Sequence, residues 1–189
     1  MYKKIFTAIS LAFGIGMAVV GCGTDAKQPT PLAHHAKNPE QLDFDPSSVN
    51  WETDNGEGLK LHLDDTYLYM QFDHTKAGSA IHNIQFIIDI DNNTSTGNAL
   101  ENGADYIVEN GYLYQSLDRD KWDWYEIGKV ESAVSGLVDT VRVKLKKFEN
   151  MQRTFGVSAQ ALDQNWKPVY YSPSAVDEMG NHLKTIYRP

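Results

Sequence analysis

The chain holds a single cysteine, Cys22, among 189 residues. One thiol closes no disulfide within the chain, so a fold has to be held by packing, polar contacts or a bound ion. Positive charge is scarce: 17 Lys and Arg stand against 25 Asp and Glu, giving a formal charge of −8. That balance disfavours a nucleic-acid partner, which needs a basic face. Catalytic signatures are also missing. No Gly-x-Ser-x-Gly, His-Glu-x-x-His or Gly-rich phosphate loop occurs, and acidic pairs such as Asp64-Asp65 read as turns rather than as an acid/base couple. A non-catalytic chain is the expectation. Beyond residue 22 no stretch carries a helical repeat of useful length, and the only long apolar run lies at the N-terminus.

That run extends from Ile5 to Val20, behind Lys3 and Lys4. It is shorter than the ~20 residues a membrane-spanning helix needs and has the order of a removable export signal. Val19-Val20-Gly21-Cys22 resembles the lipobox of bacterial lipoproteins, which implies cleavage before Cys22 and attachment to its sulfur of a lipid that carries acyl chains such as palmitate. On this reading residues 1–21 are the signal peptide. Residues 22–40, polar and containing Pro29, Pro31 and Pro39, form a flexible tether. Residues 41–189 form one domain. Removing Lys3 and Lys4 takes the charge from −8 to −10. The expected place is the bacterial cell envelope, anchored to a membrane and facing the periplasm or the exterior. Gly23, not Asp, follows the cysteine, which favours the outer membrane where the organism has one.

The rest of the chain alternates with period two. Leu59, Leu61 and Leu63 form one such run; Leu68, Met70 and Phe72 another; then Ile84, Phe86, Ile88 and Ile90; Val141, Val143 and Leu145; and Phe155, Val157 and Ala159. Asp64-Asp65 and Asn110-Gly111 mark hairpin turns. Many short strands apolar on one face predict an all-β, antiparallel, jelly-roll-like sandwich.

One strand runs directly into oxygen ligands: Ile87-Ile88-Asp89-Ile90-Asp91-Asn92-Asn93, with Thr96-Gly97 and then Gly103-Ala104-Asp105-Tyr106 behind it. Asp89, Asp91 and Asn93 match the first, third and fifth ligand positions of an EF-hand. Thr94 stands where that loop needs Gly and Leu100 where it needs Glu, so a true EF-hand is rejected. Alternate acidic residues leaving a strand still bring hard oxygens together, with Glu101 and Asp105 near enough in sequence to complete a shell. A solvated turn using Asp and Asn for their turn preference is the other reading.

These residues, together with Tyr67-Leu68-Tyr69, Tyr112-Leu113-Tyr114 and Trp122-Asp123-Trp124, resemble the family 9 carbohydrate-binding modules and the broader DOMON-like group over roughly Trp51 to Leu145. The resemblance implies a sandwich with bound, structural Ca²⁺ at Asp89, Asp91, Asn93 and Asp105. In the carbohydrate-binding members it also implies sugar rings stacked on aromatic side chains. Trp122 and Trp124, two apart and so on one strand face, are the first candidate platform, with Asp118, Arg119, Asp120 and Asp123 as polar neighbours. Trp166, Tyr170 and Tyr171 are the second. Large aromatics in a core are the competing reading.

The function expected is a lipid-anchored envelope module that binds carbohydrate or another small ligand. The alternatives are a protein-interaction module of an envelope complex and a haem-binding domain using Met70, His74 or His82.

Overall fold

The computed structural model describes residues 44–78 and 81–188; the signal peptide, Cys22 and the tether lie outside them. The strands, in chain order, are β1 (Thr53–Asp54), β2 (Leu59–Leu63), β3 (Tyr67–Asp73), β4 (Asn83–Asp89), β5 (Tyr106–Glu109) and β6 (Tyr112–Ser116), followed by β7 (Trp124–Lys129), β8 (Glu131–Ser135), β9 (Val138–Lys144), β10 (Phe155–Leu162), β11 (Pro168–Ser172) and β12 (Thr185–Tyr187). They pair antiparallel into two sheets. One has the order β1-β2-β3-β9-β8; the other has the order β11-β10-β4-β5-β6-β7, with β12 also on β10. The chain is the all-β antiparallel sandwich that its alternation predicts.

Alternation works because successive side chains on a strand point to opposite faces. Leu59, Leu61, Leu68, Met70, Phe72 and Val143 point inward from the first sheet. Ile84, Phe86, Ile88, Val108 and Val157 point inward from the second, and all belong to one buried cluster. The turns have the expected chemistry. The Asp64 carboxylate accepts the N–H groups of Thr66 and Tyr67 at 2.7 and 2.6 Å. Asn110 and Gly111 take φ of 50° and 80°, the pair of positive values that a two-residue hairpin matching strand twist requires.

The second sheet departs from a simple half-solvated sheet. β4 and β10 are buried along their whole length, on both faces. The outer face carries a smaller apolar cluster of Ile87, Ala104, Ile107, Tyr114 and Trp124. It is roofed by three loops, residues 90–105, 117–123 and 173–184. Asn98, fully buried, donates from its side-chain amide to the carbonyls of Asp118 and Lys121 at 3.0 and 2.7 Å, tying the first loop to the second. Asn102 donates to the His182 carbonyl at 3.2 Å, tying the first to the third.

This roof alters the expectation for the first aromatic pair. β7 begins at Trp124, so Trp122 lies in the preceding loop and strand alternation does not relate the two. Trp124 is 0 % exposed within the outer cluster, whereas Trp122 is 40 % exposed. Their rings meet edge to face at 5.3 Å and 67°.

Candidate functional site

The acidic loop folds on itself where β4 ends. Asp89, Asp91 and Asp105 each bring a carboxylate oxygen within 4.8 Å of the others. Backbone contacts fix them. The Asn93 N–H donates to Asp89 Oδ1 at 3.1 Å and to Asp91 Oδ1 at 3.0 Å, and the Ile90 N–H donates to Asp105 Oδ2 at 2.9 Å. Two glycines let the loop close so tightly. A Cβ on Gly97 would stand 2.4 Å from the Gly103 carbonyl oxygen, and one on Gly103 would stand 2.5 Å from Thr94 Cα, each at a positive φ. Asn93 is used differently from the three carboxylates: its side-chain oxygen accepts the Ser95 N–H at 3.0 Å, a local turn. Arg119 braces the loop from outside, donating to the carbonyls of Thr94 and Thr96 at 3.2 and 3.1 Å.

The donor set is all oxygen, which suits a hard cation. Asp89 Oδ2 is buried and accepts no hydrogen bond. Its nearest countercharge is the Lys184 ammonium at 3.3 Å, from a side chain 5 % exposed. Lys184 reaches it by lying across β10 at Gly156, where a Cβ would stand 2.9 Å from Lys184 Cδ. Burial raises the Asp89 carboxyl, opposed by the Lys184 charge. Burial also pushes Asp105 up to about 6; the Ile90 N–H works against that rise, and the charges of Asp91 and Asp89 add to it. One ammonium therefore faces three close carboxylates, and the cluster has room for more positive charge.

The same loop supplies the wall of a cleft. A cavity of about 280 Å³ over the outer face of the second sheet is lined by Trp122, Trp166, Gln85, Gln160, Glu101 and Leu162. One tryptophan comes from each of the two predicted aromatic sets. Trp166 stands in the β10–β11 turn with φ of 61° and packs against His82 edge to face at 5.4 Å. Tyr171 lines an adjoining cavity of about 170 Å³ with His182, Lys184, Asn181 and Ser158; Glu101 borders both cavities. Tyr171 stacks on His182 at 3.4 Å and 13°. Tyr170 turns the other way, stacking on Phe72 at 5.9 Å. Asp118 accepts from Lys121 at 2.9 Å and serves its own turn. Of the residues weighed as haem ligands, Met70 is enclosed in the core and His74 Nε2 lies 3.0 Å from Asp139 Oδ2.

Sequence reasoning missed Gln85 and Gln160, because alternate polar positions on a strand read as a wetted face, and Lys184, because it lies in the loop before β12, far in sequence from the acidic cluster it meets. The available signal was their chemistry: Asn83, Gln85, Ser158 and Gln160 are uncharged, unlike the Lys- and Glu-rich positions of a solvated strand.

Burial pushes Glu101 up to about 7, against the pull of Lys184. A carboxyl whose folded pKa lies above its ordinary value stabilises the fold fully below that ordinary value and loses the contribution as pH rises through the folded pKa. His182, pushed down by burial from its ordinary value of 6.5, opposes that gain as pH falls toward and through 6.5. In chelator, the melting midpoint is expected to rise from about pH 8 to about pH 6.5, and Glu101→Gln is expected to flatten that rise. A Glu101→Gln profile as steep as that of the wild type would contradict the raised Glu101 carboxyl.

Comparison of the chain with protein-family models, with curated proteins and with solved structures finds no match.

Proposed function

We propose that this chain is a non-catalytic, lipid-anchored module of the bacterial cell envelope that binds carbohydrate in the cleft between Trp122 and Trp166. The observation that carries the reading is the meeting of these two rings over an amide and carboxylate floor. Sugar rings present C–H faces that pack on aromatic rings, and hydroxyl edges that need hydrogen-bond partners. A cavity with aromatic walls and a few fixed polar groups satisfies both. The likeness of the acidic loop and its neighbours to family 9 carbohydrate-binding modules supports the same reading.

The test is a glycan array followed by titration of the best ligand. Trp122→Ala and Trp166→Ala are expected to weaken binding about tenfold or more, ~1.4 kcal/mol, with little loss of stability. Trp124→Ala is expected to cost ~3–5 kcal/mol of stability instead, because it empties the outer cluster. A wild-type protein silent across neutral and acidic glycans would favour a protein partner.

The cation belongs to the same proposal. Asp89, Asp91 and Asp105 would hold Ca²⁺, which supplies the missing positive charge and stiffens the loop that carries Glu101. An ion bound only by the folded state raises its melting point. At about a hundredfold excess over Kd the gain is ~2.7 kcal/mol, or roughly 5–10 °C for a domain of this size. Calcium is expected to raise the midpoint by that amount over chelator, and Asp89→Asn to abolish the rise. An unchanged midpoint with no calcium by elemental analysis would end the metal assignment.

Anchoring rests on Val19-Val20-Gly21-Cys22. Among the described residues no helix is long and apolar enough to cross a membrane. Cells fed a labelled fatty acid are expected to label the wild-type chain and not Cys22→Ala; an unlabelled wild type would refute the lipid anchor.

A further inference from the structure

The floor of the tryptophan cleft is one end of a cross-strand row. Register places Gln160 on β10 opposite Gln85 on β4, and Gln85 opposite Glu109 on β5. Directly opposed residues share a face, so the three side chains lie side by side on the outer face of the sheet. All are nearly inaccessible: Glu109 is 1 % exposed, Gln85 2 % and Gln160 2 %. They are hydrogen-bonded in series. Gln85 Nε2 donates to Glu109 Oε2, and Gln160 Nε2 donates to Gln85 Oε1.

The series has a direction. A carboxylate accepts and does not donate, whereas an amide has one accepting and one donating end. Glu109 therefore draws the NH₂ of Gln85 toward itself. The Gln85 oxygen is thereby turned to Gln160, which must answer with its own NH₂. What remains is Gln160 Oε1, a buried acceptor with no hydrogen-bond partner, on a residue lining the cleft beside Trp122 and Trp166. A buried unpaired acceptor is unfavourable until something donates to it. Among the described residues lining this cavity none is cationic, and Glu101 adds a second carboxyl.

Resting on the carbohydrate reading, we propose that Glu109 is a positioning residue for ligand specificity. Through Gln85 and Gln160 it makes the cleft floor a hydrogen-bond acceptor, so the cleft takes a hydroxyl or ammonium donor of a neutral or amino sugar and rejects carboxylated and sulfated sugars. Glu109 does not touch the ligand. It sets which end of Gln160 the ligand meets.

The test uses the folded wild-type chain on an array that pairs each neutral glycan with its uronic-acid and sulfated counterpart and with its O-methylated form. Binding is expected to be confined to neutral and amino glycans, and O-methylation of the best ligand to weaken it about tenfold or more. Glu109→Gln, which accepts or donates and so releases the direction of the row, is expected to weaken neutral binding and to narrow the preference for neutral over acidic glycans. A role in stability alone would leave that ratio unmoved. Acidic or fully O-methylated glycans bound as tightly as neutral ones overturn the proposal, with or without a folded variant. So does a folded Glu109→Gln that keeps the full wild-type ratio. Silence across the whole array is a different result: it ends the carbohydrate reading on which this proposal stands.

Discussion

The pairing of β4 with β10 is the constraint on which the rest depends. Seven consecutive residue pairs, from Gly156 with Asp89 to Leu162 with Asn83, lock the two strands in the middle of the second sheet. A slip of one residue would exchange every inward side chain for an outward one. Were β4 the strand to slip, Ile84, Phe86 and Ile88 would leave the core, and Gln85 and Asp89 would enter it. Burial of the apolar set stabilises the fold in proportion to the area removed from water, and the same register delivers the polar row and the first carboxylate to the outer face. Core and site are two faces of one pairing.

That outer face is unusual in burying amides and carboxylates beside its apolar cluster. Burying amides and carboxylates is unfavourable unless each finds a partner. The partners here come from the sheet, through Gln160, Gln85 and Glu109 in series, and from the roofing loops, through Lys184 beside Asp89. Five side-chain atoms of this face and its roof remain without a hydrogen bond, Asn83 Nδ2, Asp89 Oδ2, Trp124 Nε1, Gln160 Oε1 and His182 Nδ1, and of these Asp89 Oδ2 has the Lys184 ion pair. Two of them, Gln160 Oε1 and Asp89 Oδ2, lie at the tryptophan cleft and the acidic loop, the two places proposed here to take a ligand.

Much of the sandwich was legible in the sequence because period-two alternation directly reports a half-buried strand. Leu59, Leu61, Leu68, Met70 and Phe72 all face the core as their spacing requires. Asn110-Gly111 forms its hairpin for a reason visible in two residues. The acidic cluster was legible for the same local reason, since Asp89 and Asp91 leave one strand together. The cleft was not. Trp122 and Trp166 are 44 positions apart (166 − 122) and meet only because two loops fold over the same strands. Trp124, beside Trp122 in sequence, is assigned to packing by a strand boundary that alternation alone does not locate. Alternation also cannot distinguish an outward residue in water from an outward residue under a roof, and that is why Gln85 and Gln160 read as solvent-facing.

The roof joins the proposed cation loop to the proposed ligand cleft. Residues 90–105 hold Asp91 and Asp105 at one end and Glu101 near the other. Between them the buried Asn98 side chain donates to two carbonyls of the loop that carries Trp122. An isolated loop of this length would sample many conformations, and each residue ordered costs ~1–2 kcal/mol of backbone entropy. Fixing the carboxylate end therefore restricts Asn98, and Asn98 restricts the approach of Trp122 to the cleft. The third loop is held to the same frame, through Asn102 to the His182 carbonyl and through Lys184 to Asp89. One cleft wall is thus joined to the acidic cluster through Asn98. The floor depends on a different element, the β-sheet row ending at Glu109. On the proposed function, the walls are ordered by ion and loop while the hydrogen-bonding character of the floor is set by strand register.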